Sequence, residues 1–340
     1  MKIIEILPEL DIGGVERHVV DLSNELNRRG HDVLVVSAGG KMESQLDEKV
    51  QRRHLPVHKK NPLTCISCAR KIARWAQDEG WQMMHAHSRV PAWIANIASD
   101  KAHVPYLVTA HCDFGNKSRW IYAPYRKAPV VICVSDAVRE SMKDCFYENT
   151  KVIINGLDVP SVRWKGDAAQ RRLLFVGRLS HVKGLQDVLQ ALDDRYPWTL
   201  DVLGDGPQMQ EWKDICRDRG FEDRVTFHGY SDEVDRFMSG ASCLLFPSYS
   251  EGWGLTLARA IQIGLPVIAS DIPPVAEMLG GHNGLIPPGD ISAWKNALDA
   301  FLKDGKAEAS FPLAVIPTLS RMVGQTEALY LDLCKGAHLS

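Results

Sequence analysis

The stretch from Cys243 to Asp271 leaves few choices of fold. Cys243-Leu244-Leu245-Phe246 is apolar at every position, which suits a parallel strand buried on both faces. Pro247 closes the run, because proline donates no ladder hydrogen bond. In the loop that follows, Glu251 stands between Ser250 and Gly252. Gly252 and Gly254 let backbone N–H groups approach a ligand closely where the next helix begins, and such groups at a helix start form an anion site. The spacing predicts a helix over 255–263, with Leu257 and Ile261 on one face and Thr256, Arg259 and Gln262 on another. Gly264 stops it, and Val267–Ala269 returns to the sheet.

This strand–helix–strand unit recurs along the chain. Ile3–Leu7 reads as a strand, Val15, Val19, Leu22 and Leu26 as a helix ended by Gly30, and Val33–Ser37 as the next buried strand. Gly13-Gly14-Val15-Glu16 lacks the spacing of a dinucleotide fingerprint, so the glycine pair is either a tight turn or a loop that approaches a ligand. Further apolar runs at 83–86, 106–110, 130–134 and 151–154 complete an alternating first domain. Ligands of such sheets bind at the carboxyl ends of strands. That singles out His85 and His87, read as alternating in direction and each either functional or merely packed. His111 follows the next strand, and Ser135 is read as the N-cap of a helix over 136–143.

After the turn-rich Asn155–Pro160 hinge the alternation resumes: strands over 172–176, 199–203 and 225–227, and helices over 184–192 and 207–219. Arg178 and Lys183 flank a loop that opens a helix. They are either a solvated pair or two charges converging on phosphate oxygens near a positive helix end. In the turn Leu203-Gly204-Asp205-Gly206-Pro207, positive φ is assigned to Gly206 and the first helical position to Pro207. Amphipathic helices are predicted over 291–302 and 318–333.

A chain of 340 residues suits two domains, and 45% hydrophobic with 24% charged residues is a soluble globular composition. Residues 1–7 do not read as a signal peptide and no run of about 18 apolar residues occurs, so a cytoplasmic location is expected. Of eight cysteines only Cys65 and Cys68 have CxxC spacing, which favours reduced thiols over a zinc site. Charge is uneven: residues 1–155 hold 22 Lys and Arg against 18 Asp and Glu, the remainder 18 against 24. Arg52, Arg53, Lys59, Lys60, Arg70, Lys71 and Arg74 concentrate the excess. They form a solvated surface, or a contact for anionic lipid head groups or an anionic acceptor. No nucleic-acid partner is expected.

Taken in order, these segments resemble the retaining GT-B glycosyltransferases of glycosyltransferase family four. Glu251-Gly252-Trp253-Gly254-Leu255 matches the E-G-F/W-G-L opening of the donor-sugar loop. Gly13-Gly14-Val15-Glu16 matches G-G-x-E, and Thr109-Ala110-His111-Cys112-Asp113 the segment whose histidine lies beneath the donor sugar. Asn155–Asp158 matches the N-G-x-D crossing, Gly177-Arg178-Leu179 with Lys183-Gly184 the G-R-L…K-G loop, Gly204–Pro207 the G-x-G-P turn, and Asn283–Ile286 an N-G-x-L segment. One position departs: the second glutamate, eight residues after the first, is Arg259.

The resemblance implies an α/β fold of two Rossmann-like domains with parallel sheets facing a cleft. Residues 1–157 would form the acceptor domain, 158–312 the nucleotide-sugar domain, and 313–340 a terminal helix crossing back to the first. It implies a hexosyltransferase that retains configuration and moves sugar from a nucleotide donor, expected to be UDP-linked, to a glycan or lipid-linked acceptor. Lipopolysaccharide or surface polysaccharide assembly, at the inner face of the cell membrane, is the expected setting. Arg178, Lys183 and the N–H groups of Trp253, Gly254 and Leu255 would neutralise the leaving nucleoside diphosphate. No cofactor or metal is expected, and the chain has no D-x-D motif to hold a divalent ion. Glu251 would accept hydrogen bonds from sugar hydroxyls and His111 would hold the sugar or the reacting oxygen. Gly13, Gly14, Gly204, Gly206 and Gly252 would line the donor. Arg259 would face the ribose and diphosphate or point outward. Two other classes stay open: a GT-B enzyme of other chemistry, such as a sugar-nucleotide epimerase, and a non-catalytic nucleotide-sugar-binding protein.

Overall fold

The computed structural model describes residues 1–113, 115, 118–281, 283–304 and 316–337. The chain divides into two units, Met1–Gly156 joined by the segment from Pro317 onward, and Leu157–Ile316. The boundary expected at 312/313 lies outside the described residues.

The first unit is built on seven strands: β1 (Lys2–Ile6), β2 (Asp32–Ser37), β3 (Gln51–His54), β4 (Met83–His87), β5 (Tyr106–Ala110), β6 (Val131–Cys133) and β7 (Thr150–Val152). They lie in the order β3-β2-β1-β4-β5-β6-β7, every pair parallel. The order reverses between β1 and β4, the switch point at which open sheets of this kind bind ligands. β4 and β5 are buried at every residue, as strands covered by helices on both faces must be. Helix Pro62–Glu79 begins at Asn61, whose side chain accepts from the N–H groups of Leu63 and Thr64, and ends at Gly80 in the left-handed region. Ser135 caps helix Asp136–Ser141 by accepting from Val138 N–H at 3.1 Å, the role read from sequence.

The C-terminal helix Leu319–Ala337 belongs to this unit. It buries Leu319, Met322, Val323 and Tyr330 in the core made by Ile3, Val19, Val33 and Leu107. Glu327 anchors it to Arg29 at 2.9 Å and to His31 at 2.8 Å. Gly156 lies against the start of the same helix, where a Cβ would come within 2.3 Å of the Thr318 carbonyl oxygen.

The second unit has five parallel strands: β8 (Arg172–Val176), β9 (Thr199–Leu203), β10 (Val225–Gly229), β11 (Cys243–Phe246) and β12 (Val267–Ala269). Their order is β10-β9-β8-β11-β12, with the switch point between β8 and β11. Helices Leu185–Ala191, Met209–Asp218, Leu255–Ile263 and Ile291–Asp304 follow their strands, and Trp212 and Trp294 are fully buried beside Phe175 and Leu245 in the core. Helix Met209–Asp218 starts two residues later than expected, after a turn at Pro207 and Gln208. No helix among the described residues is long and apolar enough to cross a membrane.

Candidate functional site

In the second unit three loops meet at the carboxyl ends of β8, β9 and β11. The loop after β8 is tied to the turn after β9 by hydrogen bonds from Leu179 N–H to Asp205 O (2.9 Å) and from Gln208 N–H to Leu179 O (3.1 Å). Tyr249 N–H, after β11, donates to Val182 O at 2.8 Å. Glycine is required where these loops touch. Gly184 has φ +72, and a Cβ there would stand 1.9 Å from Pro247 O; Gly204 has φ +132, and its Cβ would stand 1.9 Å from Gly177 O. Positive φ therefore falls on Gly204 and not on Gly206, a correction to the sequence reading. Gly206 is needed for close approach instead, its Cβ position lying 2.2 Å from Leu179 O.

This frame brings Lys183 Nζ to 2.6 Å from Glu251 Oε1, which also accepts from Ser248 Oγ at 2.8 Å. Lys183 and Glu251 are 68 residues apart, and their side chains are 25% and 10% exposed. Arg178, on the same loop as Lys183, is exposed, and its guanidinium makes no hydrogen bond or ion pair with another described residue. The N–H groups of Trp253, Gly254 and Leu255, at the mouth of helix Leu255–Ile263, donate no hydrogen bond among the described residues. Gly254 turns there through the left-handed region at φ +93. An unengaged guanidinium, a paired ammonium and open N–H groups on the carboxyl edge of one sheet make a site suited to an anion. Ser248 was not singled out from sequence; its position three residues before Glu251 in a tight loop was the available signal.

Arg259 is elsewhere engaged. Its Nε and Nη2 donate to Asp235 at 2.7 and 2.6 Å, and Nη1 donates to Asp158 O at 2.7 Å and to Gln262. Reaching a ribose or diphosphate would cost this two-pronged pair. On the same helix Leu257 is buried but Ile261 only half-buried, and Ala258 and Ala260 complete the inner face.

In the first unit, Gly13 and Gly14 open helix Gly14–Arg28 after β1. A Cβ at Gly13 would lie 2.3 Å from a carboxylate oxygen of Glu16, so the close approach at this glycine is to a neighbouring side chain. His111 follows β5. Register brings Glu5 beside His85 and His87 beside Thr109, and the two-residue period places Glu5, His85, His87, Thr109 and His111 on one face of the sheet. The expectation that His85 and His87 diverge is thus corrected: positions two apart on a strand share a face, and these rings lie 3.9 Å apart.

Glu5 is fully buried. Burial alone would raise its carboxyl, but the charge of His85 and hydrogen bonds from His85 and His87 outweigh that and hold it far below the usual range. His87 Nε2 lies 2.7 Å from Glu5 Oε2, His87 Nδ1 3.0 Å from His111 Nε2, and Tyr330 donates to Glu5 Oε1 at 3.0 Å. Burial lowers His18 to about 3, aided by His87, and lowers His87 to about 4, aided by His85. It also pushes His111 well below its ordinary value. These three rings are therefore neutral at pH 7. The ligand atoms of His18, His87 and His111, and those of Glu5, His85 and His87, lie within 4.8 Å of one another, near enough for a metal ion. Both ring nitrogens of His85 and of His87 are already hydrogen-bonded, so a metal would have to displace those bonds. Cys65 and Cys68 make no such cluster with a third ligand among the described residues, and burial raises both thiols, Cys65 to about 11.

Sequence comparison follows the same division. The family described as Glycosyltransferase Family 4 matches residues 12–160, and Glycosyl transferases group 1 matches residues 162–312. The chain belongs to glycosyltransferase family 4. A glycogen synthase of Mycobacterium tuberculosis is 26% identical, over 88% of this chain and 85% of that protein. Among solved structures, Anabaena Alr3699/HepE in complex with UDP and glucose superposes with a TM-score of 0.81 at 19% identity, covering 98% of this chain and 100% of that one. The lipopolysaccharide outer core galactosyltransferase WaaB in its apo form gives 0.68 at 19% identity, covering 100% and 99%. The fold of this glycosyltransferase is thus GT-B, two Rossmann-like units of seven and five parallel strands.

Proposed function

We propose that this glycosyltransferase transfers a hexose from a UDP-linked donor to a glycan or lipid-linked acceptor in lipopolysaccharide or surface polysaccharide assembly, retaining anomeric configuration and without a metal. The observation that carries the donor assignment is the 2.6 Å contact of Lys183 with Glu251 at the switch point of the second sheet. One loop offers cations and the other a carboxylate, which matches a ligand with a diphosphate at one end and hydroxyls at the other. As the glycosidic bond breaks, negative charge grows on the diphosphate. Arg178, Lys183 and the N–H groups of Trp253 to Leu255 stabilise it with donors already fixed in place. Glu251 accepts from hydroxyls of the transferred hexose. The UDP and glucose of the Anabaena structure support the donor class, WaaB the acceptor class, and family membership the retention. The test is transfer of labelled hexose from a panel of UDP-sugars to lipid-linked and lipopolysaccharide acceptors, with the product anomer read by NMR. Isomerised donor, or binding without transfer, would overturn the reading, and an inverted anomer would overturn retention.

We also assign peripheral membrane contact to helix Pro62–Glu79. Leu63 is 78% exposed, and Lys59, Lys60, Arg70, Lys71 and Arg74 are exposed around it. A surface pocket of about 290 Å³ lined by Leu55, Pro56, Leu63 and Lys71 lies among them. Arg52 and Arg53 take no part, since Arg52 donates to Leu46 O and Arg53 forms a two-pronged pair with Glu79. Each cation near an anionic surface contributes about 1 kcal/mol. Binding to phosphatidylserine vesicles that is lost in salt is expected, and indifference to them at low ionic strength would remove the assignment.

A further inference from the structure

The buried polar chain of the first unit runs from the C-terminal helix to His111, and its hydrogen bonds fix where each proton sits. We propose that Glu5 and His87 are positioning residues which hold His111 as its Nε2–H tautomer, so that its Nδ1 meets substrate as a hydrogen-bond acceptor. This rests on the transferase reading above.

The argument begins at the carboxylate. An ionised Glu5 can only accept, so His87 Nε2, 2.7 Å away, must carry a proton. A neutral His87 then has a lone pair on Nδ1. His111 Nε2, 3.0 Å from that lone pair, must be the donor, and a neutral His111 is left with a lone pair on Nδ1. No hydrogen bond reaches that nitrogen among the described residues. The start of the chain is held just as firmly. Glu5 Oε1 accepts from Tyr330, and His85 Nδ1 lies 2.6 Å from the Tyr330 hydroxyl and 3.2 Å from Glu5 Oε2. His85 Nε2 meets Thr109 Oγ1 at 2.7 Å, a hydroxyl able to take either role. On the helix side His18 faces His111 edge-on at 4.8 Å. No group in this set offers His111 a competing carboxylate.

The consequence is chemical. A histidine with an outward N–H can stabilise a phosphate oxygen; one with an outward lone pair cannot, and instead receives a hydroxyl. The relay therefore commits His111 to a hydroxyl of the transferred sugar or of the acceptor. A strand that carries Glu5 among Ile3, Ile4 and Ile6 keeps a buried charge for this purpose.

The test is long-range 1H–15N NMR of the full chain carrying 15N-labelled histidine, at about pH 7, with His111 assigned from its missing signals in His111→Gln. The wild type is expected to show His111 protonated at Nε2, and His87→Leu to release it into a tautomer mixture. His87→Asn, whose carbonyl can accept in place of Nδ1, should preserve the tautomer. Glu5→Gln should lower kcat/KM about tenfold, mainly through kcat, the scale of one lost hydrogen bond. A wild-type His111 protonated at Nδ1 overturns the proposal, and needs no variant to fold; so does a tautomer unchanged by His87→Leu. If the tautomers are as expected but no UDP-sugar is ever transferred, the relay stands and the transferase reading falls.

Discussion

Lys183 cannot serve a diphosphate and Glu251 equally well, and removing Glu251 exposes that competition. At 2.6 Å the two charges attract by roughly 6 kcal/mol at an effective dielectric of about 20, before desolvation and side-chain entropy are subtracted. Exposed pairs retain about 0.2–1 kcal/mol and breaking a buried one costs about 3–5. With Lys183 25% and Glu251 10% exposed, a net coupling near 1 kcal/mol is the reasonable value. Free UDP carries the diphosphate but no hexose, so it gains from a released Lys183 and loses nothing with Glu251. Glu251→Ala is therefore expected to bind UDP about fivefold tighter by calorimetry while transfer collapses through kcat. Lys183→Ala should lose both UDP affinity and about 10² in kcat/KM, and among the described residues it leaves the poorly exposed carboxylate with only the Ser248 hydroxyl. Lys183→Ala should thus be the less stable of the two variants in urea. Equal weakening of UDP binding in both variants would refute the competition and make the pair a purely structural contact.

Acid should destabilise the first unit early. Folded His87 titrates at about 4 and His18 at about 3, against an ordinary 6.5, so between pH 6.5 and about 4 the unfolded chain binds protons that the folded unit refuses. Stability rises with pH across that window, by at most about 3 kcal/mol for His87, and urea curves that coincide at about pH 7 and 5 would contradict it. Gly184→Ala and Gly80→Ala share φ +72, but only the first meets an atom, Pro247 O at 1.9 Å. Gly80→Ala should cost about 1 kcal/mol and Gly184→Ala more than about 3, and equal melting temperatures would dismiss the contact. Arg259→Glu sets a second carboxylate against Asp235, so it should lower the melting temperature more than Arg259→Ala and should not tighten donor binding; tighter binding would return Arg259 to the donor site.

In the second unit the run from β11 to β12 was readable in sequence to the residue, since Cys243–Phe246, Leu255–Ile263 and Val267–Ala269 were all placed, whereas helix Pro273–Leu279 was not. Both of these strands are apolar at every position, and Pro247 and Gly264 mark the ends of β11 and of the helix. β3, Gln-Arg-Arg-His, was unreadable because an edge strand needs no apolar run; its membership is fixed by pairing with β2. The partner of Arg259 was equally hidden, because Asp235 lies on a different helix and only tertiary packing joins them. Glu5 did leave a trace. A lone acid within an apolar strand, with two histidines spaced two apart in a later strand, is the pattern of a buried charge with its donors.

The two sheets share one topology, and their carboxyl edges have opposite chemistry. Around the switch point of the second, an unengaged Arg178, Lys183 and open N–H groups present positive charge. Around the switch point of the first, the buried groups include His87 and His111, which burial keeps neutral, and one carboxylate whose charge is spent on internal donors. A polyanion gains nothing there, whereas a hydroxyl meets an acceptor already oriented. Five exposed cations of the first unit, Lys59, Lys60, Arg70, Lys71 and Arg74, lie instead on or just before helix Pro62–Glu79, which follows the edge strand β3, not the switch point. An anionic head group could be held there without competing for the edge that bears His111. On the proposed reading, recognition of the nucleotide would rest on charge, recognition of the reacting hydroxyl on tautomer, and attachment to a surface on residues that belong to neither. A substitution at Arg70 or Lys71 should then change vesicle binding while leaving kcat on a soluble acceptor unaltered, and a fall in kcat on that acceptor would show that the basic face and the reacting edge are not separate.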